Sequence, residues 1–170
     1  MDVHPLFVHF PIALLFVWSL IEISQVHRWI KSVDWKSAKG VLLTVGTVGA
    51  YFAKETGEIA RDQVTKISPT LAWHETFAKT TFALYFLFLV EIILTVCISQ
   101  IKNRKISIPH WTHDLMSLYQ KIIGFLPIRL PLVVIALTVL TVTGVLGGTL
   151  VYGNSADPIA PYVLSILGIR

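Results

Sequence analysis

Between Leu130 and Tyr152 the chain carries 23 consecutive residues without a charged side chain. At ~1.5 Å per residue such a run is a helix of ~35 Å, enough to cross the ~30 Å hydrocarbon core of a bilayer. Inside hydrocarbon no water satisfies backbone N–H and C=O groups, so a chain placed there must fold as helices or as a closed barrel. Three more apolar runs of helical length, at about residues 6–26, 40–62 and 71–101, decide for helices.

Composition agrees, with 54% hydrophobic and 14% charged residues and a mean hydropathy of +0.69, whereas soluble domains carry about 25% charged residues. The formal charge of +4 comes from Lys and Arg concentrated between the apolar runs. Anionic lipid and the positive-inside bias put them there, and nucleic acid is not an expected partner. The single cysteine, Cys97, lies within the third run, so an intrachain disulfide is impossible, and no CxxCH is present for covalent haem. No basic residue precedes the first apolar run, which is therefore expected to stay as a helix rather than to be removed as a leader.

The expected fold is all-α: an integral membrane, antiparallel four-helix bundle over residues 1–153, followed by a surface tail over 154–170. The segment at about 110–126 is too short and polar to span. Trp111, Leu115, Leu118, Ile122 and Phe125 recur there at helical period, with His113, Asp114, Ser117, Gln120 and Lys121 on the other face, the pattern of an amphipathic helix lying in the interface.

Within the runs, polar residues narrow the possibilities. His4, Pro5, His9 and Pro11 open the first, and Pro11 removes one intrahelical bond, so that helix either kinks there or begins near Phe10. In the second, Gly46, Gly49, Ala53 and Gly57 form a strip open to close helix approach, while Glu55, Glu58 and Asp62 share another face. Its bland account is a solvated helix end with Glu58 paired to Lys54 or Arg61. In the third, His74, Ala78, Thr81, Tyr85 and Phe88 share one face. Glu91 and the first run's Glu22 lie deep and require protonation as a pair or contact with a basic loop residue. In the fourth, Gly144 and Gly148 supply a GxxxG element with Thr141 and Tyr152, expected to pack tightly on a neighbour.

Loops 28–39 and 102–129 hold nine Lys and Arg (28, 31, 36, 39, 102, 104, 105, 121, 129), and the opposite side holds five (54, 61, 66, 79, 170). The count places both termini outside the cytoplasm, in a bacterial inner membrane.

This threading brings His4, His9, His74 and the second run's carboxylates to one extracytoplasmic rim. Imidazoles from two helices at similar depth suit a b-type haem, with His9 and His74 on the iron and Phe10, Phe77 and Phe82 as walls. A divalent metal held by His4, His9, His74 and Glu58 is another possibility. A third is purely structural, with the histidines bonded to loosened backbone and to Glu55 or Glu58. The pair His110 and His113 lacks a third ligand nearby, and no Ser or Cys adjoins the rim histidines in a nucleophilic setting.

The stretches HPLFVHFPIALL, TGEIA, LAWHE and TGVLGGTLVYG together resemble a bacterial family of predicted membrane proteins, of domain-of-unknown-function 2231 type, that start HPxxVHFPIA and end TGxLGGxLVY. The resemblance covers about Val3 to Gly153. It implies the four-span fold and, from members joined to or encoded beside Rieske or cytochrome modules, a link to electron transfer, with other membrane subunits or such a redox module as partners. Similar proteins often carry histidines where this chain has Val145 and Asn154, which leaves His4, His9 and His74 as the matching set. The expected function is thus a small membrane subunit of a respiratory or photosynthetic electron-transfer assembly, or else a non-catalytic scaffold subunit.

Overall fold

The computed structural model describes residues 4–62, 64–105, 109–153 and 158–169, with the backbone alone for residues 4–7. Among these residues the chain is all-helical: α1 (His4–Ser24), α2 (Trp35–Asp62), α3 (Pro69–Asn103), α4 (His110–Gly124), α5 (Leu126–Tyr152) and α6 (Ala160–Ile166). By length and composition α3 and α5 are each able to cross a membrane, while the apolar part of α1, Val8–Ser24, is shorter. α2 has the length, but Lys36, Lys39 and the charges from Lys54 to Asp62 dilute its hydropathy.

Local chemistry sets the helix starts. Ser68 caps α3, its hydroxyl accepting the Leu71 amide at 3.2 Å, and Pro69 follows in the first turn, where its missing N–H costs nothing. Asp34 precedes α2 and accepts from the Ser37 amide at 3.2 Å and the Ser37 hydroxyl at 2.6 Å. Those two bonds hold the Asp34 carboxyl below its ordinary value of 3.8. A depressed folded-state value means that the contribution is present above 3.8 and is lost as pH falls through the lowered one. Acid-side melting of Asp34→Ala is therefore expected to be flatter with pH than that of the parent chain, as thermal unfolding followed by circular dichroism would register.

α1 runs through Pro11 without a break, so the helix does not wait until Phe10 to begin. It packs on α2 and α5, α3 packs on α5 and α2, α4 lies against α3 and α5, and α6 lies on α5, burying Ala160 and Leu164. α1 comes close to α2 along the small-residue strip. A Cβ on Gly46 would meet Leu15 Cδ2 at 2.7 Å, and one on Gly49 would meet Pro11 Cβ at 3.1 Å. Gly144 and Gly148 differ: among the described residues no atom lies within 4 Å of where their Cβ atoms would be. Among the described residues the tight packing expected of that GxxxG pair is not made, since both positions have open space beside them. Gly147, one residue off that strip, makes the close contact instead.

The core lies at mid-height. Leu15 and Trp18 of α1, Leu43 of α2, Tyr85 and Phe88 of α3, and Val133 and Ala136 of α5 are buried together. Trp18 meets Tyr85 edge-on at 5.8 Å and Phe88 at 5.1 Å, and the Tyr85 and Ser19 hydroxyls pair at 2.7 Å. The shared face of Thr81, Tyr85 and Phe88 is thus the one that α3 turns inward.

Beyond this core, at the end where α1 finishes and α5 starts, four charges meet. Glu22, only 3% exposed, receives Arg129 Nε and Nη2, each at 3.3 Å, and Lys39 Nζ at 3.0 Å. Nη1 of Arg129 donates to Glu91, and the guanidinium lies over the Phe88 ring at 5.6 Å. One arginine thereby satisfies both acids. It does so from the first turn of α5, not from a loop.

α4 presents three arcs. Tyr119 and Ile123 turn toward the other helices, the Tyr119 hydroxyl donating to the Leu87 carbonyl at 2.7 Å. Burial first, then the nearby Glu91 carboxylate, pushes that hydroxyl's pKa up, which keeps the donor proton in place. Trp111, Leu115, Leu118, Ile122 and Phe125 form a separate exposed apolar arc, and His113, Asp114 and Lys121 a polar one.

Candidate functional site

A cavity of about 430 Å³ lies among α1, α2, α3 and α5 at the end remote from the Arg129 cluster. Its buried part is formed by Leu15, Leu140, Thr81 and Thr143. Val8, Pro11, Ile12, Ala50, Ala53 and Ala78 continue the wall. Exposed Lys66, Ser68 and Lys79 mark the mouth.

Among the described residues His74 is the one imidazole lining it. Ser68 and Pro69 fix where α3 begins and so set His74 in its second turn. The ring reaches α5, where Nδ1 lies 3.1 Å from the Thr143 carbonyl oxygen. A carbonyl only accepts, so Nδ1 carries the proton and, in the neutral ring, Nε2 is the acceptor nitrogen. The close fit depends on Gly147: a Cβ there would meet His74 Cε1 at 3.1 Å. Thr143 is held in turn, its hydroxyl 2.8 Å from the Val139 carbonyl and 3.0 Å from the Thr81 hydroxyl. Gly147→Ala is expected to push the ring off Thr143 and cost about 0.5–1.5 kcal/mol, the worth of one such bond, in thermal unfolding.

Around the mouth, Lys54 Nζ lies 3.0 Å from Glu55 and 3.1 Å from Glu58, while Lys79 stands 4.0 Å from Glu58. Arg61 Nε and Glu75 Oε1 are 2.6 Å apart, an ion pair without the alignment of a hydrogen bond. The bland account of Glu58, pairing with Lys54, is therefore what this helix end does.

The structure brings together some of the residues read from sequence and separates others. His74 and Glu58 line the cavity, but His9 is exposed and outside it. Phe10 is 60% exposed. Phe77 packs against Trp73 at 5.8 Å, and Phe82 stacks on Phe86 at 5.6 Å. None of these three rings lines the cavity. The side chain of His4 and residue Asn154 lie outside the described residues, whereas Val145 is buried on α5. Among the described residues no group of three or more His, Cys, Asp or Glu side chains is arranged to hold a metal ion. Thr143 and Gly147 were not singled out for the site by sequence, and Arg61, named there as a possible partner of Glu58, pairs with Glu75 instead. The signal for Gly147 was present in the adjacent Gly147–Gly148 pair, but not which of the two faces α3.

No curated protein and no solved structure matches the chain. The family described as predicted membrane protein (DUF2231) matches residues 1–156. With apolar helices, a motif at each end and a match over nearly its whole length, the chain belongs to this family of predicted membrane proteins.

Proposed function

We propose that this is a four-span protein of the bacterial inner membrane whose outer-rim cavity holds the apolar body of a ligand against His74. In this reading α1, α2, α3 and α5 cross as an antiparallel bundle, both termini lie outside, and α4 rests in the cytoplasmic interface. The pairing of residues supports it: Gly46 with Leu15 and Gly49 with Pro11, then His74 with Gly147 and Glu91 with Arg129, each run in opposite chain directions. The exposed apolar arc of α4 beside its polar arc suits a helix half-sunk in lipid.

The observation that carries the reading is the cavity itself, apolar in depth and walled by four long helices, with one imidazole fixed on its wall. Such pockets, with few but convergent polar groups, are the usual form of a ligand site. Labelling tests the threading. In a Cys97→Ser background, an impermeant maleimide added to intact cells should modify Lys66→Cys and spare Lys31→Cys and Lys105→Cys. The reverse pattern, or labelling of all three, overturns it.

A second reading, a subunit of an electron-transfer assembly carrying b-type haem, is favoured by one feature. Ligating histidines are commonly oriented by a bond from the other ring nitrogen to a backbone carbonyl, the arrangement of His74 and Thr143. Its signature is a reducible Soret and alpha band in the purified protein that disappears in His74→Ala. A colourless, fully assembled protein eliminates it.

A further inference from the structure

We propose that the cavity takes a single-chain anionic amphiphile, a long-chain fatty acid, with its alkyl chain among the four helices and its carboxylate at the lysine-bearing mouth. This rests on the ligand-site reading above and adds the chemistry of the ligand.

Among the described residues that line the cavity, charge is unbalanced. Lys54, Arg61, Lys66 and Lys79 line the cavity against two lining acids, Glu58 and Glu75. Counting Glu55, the further partner of Lys54, still leaves one positive charge over. The excess sits at identifiable atoms. Lys66 is exposed and makes no ion pair among the described residues. Lys79, 54% exposed, reaches Glu58 only at 4.0 Å, and that carboxylate is already held by Lys54 at 3.1 Å. Lysine ammonium groups on flexible stems can close over a carboxylate while their methylenes extend the apolar wall.

Size and polarity select the tail. A volume of about 430 Å³ lies toward the low end of ligand pockets, which run from ~300 to ~1,000 Å³. One chain fits such a space better than the two chains of a phospholipid. Below the mouth the wall offers Leu15, Leu140, Ala53 and Ala78, with the Thr81 and Thr143 hydroxyls bonded to each other at 3.0 Å. A tail would meet hydroxyls already satisfied, as an alkyl chain requires.

The test uses the full chain in phosphatidylcholine nanodiscs with isotope-labelled palmitate. Expected are saturable binding of one molecule per chain, displacement by unlabelled palmitate but not by hexadecanol, and weakening by added salt. The Lys66→Ala, Lys79→Ala double variant should weaken binding about fivefold to tenfold, as loss of two solvent-exposed charge contacts would, while a Lys102→Ala, Lys105→Ala control does not. Ala78→Phe, checked for an unchanged melting temperature, should abolish binding by filling the cavity. Equal displacement by hexadecanol, or an unaffected lysine variant, overturns the anionic head and leaves the ligand-site reading standing. Stronger displacement by phosphatidylglycerol than by unlabelled palmitate replaces the fatty acid with a two-chain lipid. No saturable binding of palmitate or hexadecanol sinks both proposals.

Discussion

Arg129→Met is expected to destabilise the protein by about 3–5 kcal/mol, the cost of leaving a buried charge without its partner. Glu22 keeps Lys39 at 3.0 Å, but among the described residues Glu91 has no cation other than Arg129. Substituting either acid alone should cost less, because the guanidinium retains the other. The triple variant Glu22→Gln, Glu91→Gln, Arg129→Met should recover most of the loss, since removing a whole buried ion cluster is often close to neutral. Thermal unfolding in one detergent, followed by circular dichroism, gives the ranking. A single variant within about 1 kcal/mol of the parent would show that the cluster is incidental to the fold.

Gly46→Val should produce the next largest effect, about 1–3 kcal/mol of destabilisation from overpacking. Even its first added carbon would lie 2.7 Å from Leu15 Cδ2, 2.8 Å from Leu15 Cγ and 3.3 Å from Leu14 Cβ, and Leu15 is itself buried. The Leu15 side chain, or α1 with it, must then shift, loosening the contact that brings Pro11 and Leu15 to the cavity wall. Gly144→Ala and Gly148→Ala provide the contrast. With open space at both positions, they should fall within about 0.5 kcal/mol of the parent, or gain slightly through helix propensity. Equal losses at Gly46 and Gly144 would mean that the two strips are packed alike.

The sequence reading of Glu22 and Glu91 shows how far pattern reaches. Two acids deep in apolar runs must be neutralised or paired, and a basic residue was one of the two solutions named. That Arg129 serves both, from within α5, follows from where α1, α3 and α5 converge, and no spacing along the chain carries that information. The third run is a similar case. His74, Ala78, Thr81, Tyr85 and Phe88 were legible as one face because helical geometry fixes which residues share a side. That its upper part walls a cavity while its lower part fills a core depends on the other helices.

His9 and the GxxxG pair mark the limit. His9 and His74 are alike in type and each stands near the start of an apolar run, yet His74 lies on the cavity wall and His9 lies exposed outside it. Gly144 looked like a contact and is open, while its near neighbour Gly147 seats an imidazole.

What the sequence determined by itself was the medium and the helices: long runs without charge, with backbone groups that only helices can satisfy in lipid, and acids that demand partners. What only the tertiary structure decided was which side of each helix meets protein. Lipid tails are as apolar as leucine, so hydrophobicity does not distinguish a face turned to a neighbouring helix from one turned to the bilayer. That choice, made by close packing at Gly46, Gly49 and Gly147 and by the bonds of Arg129, is what shapes the cavity.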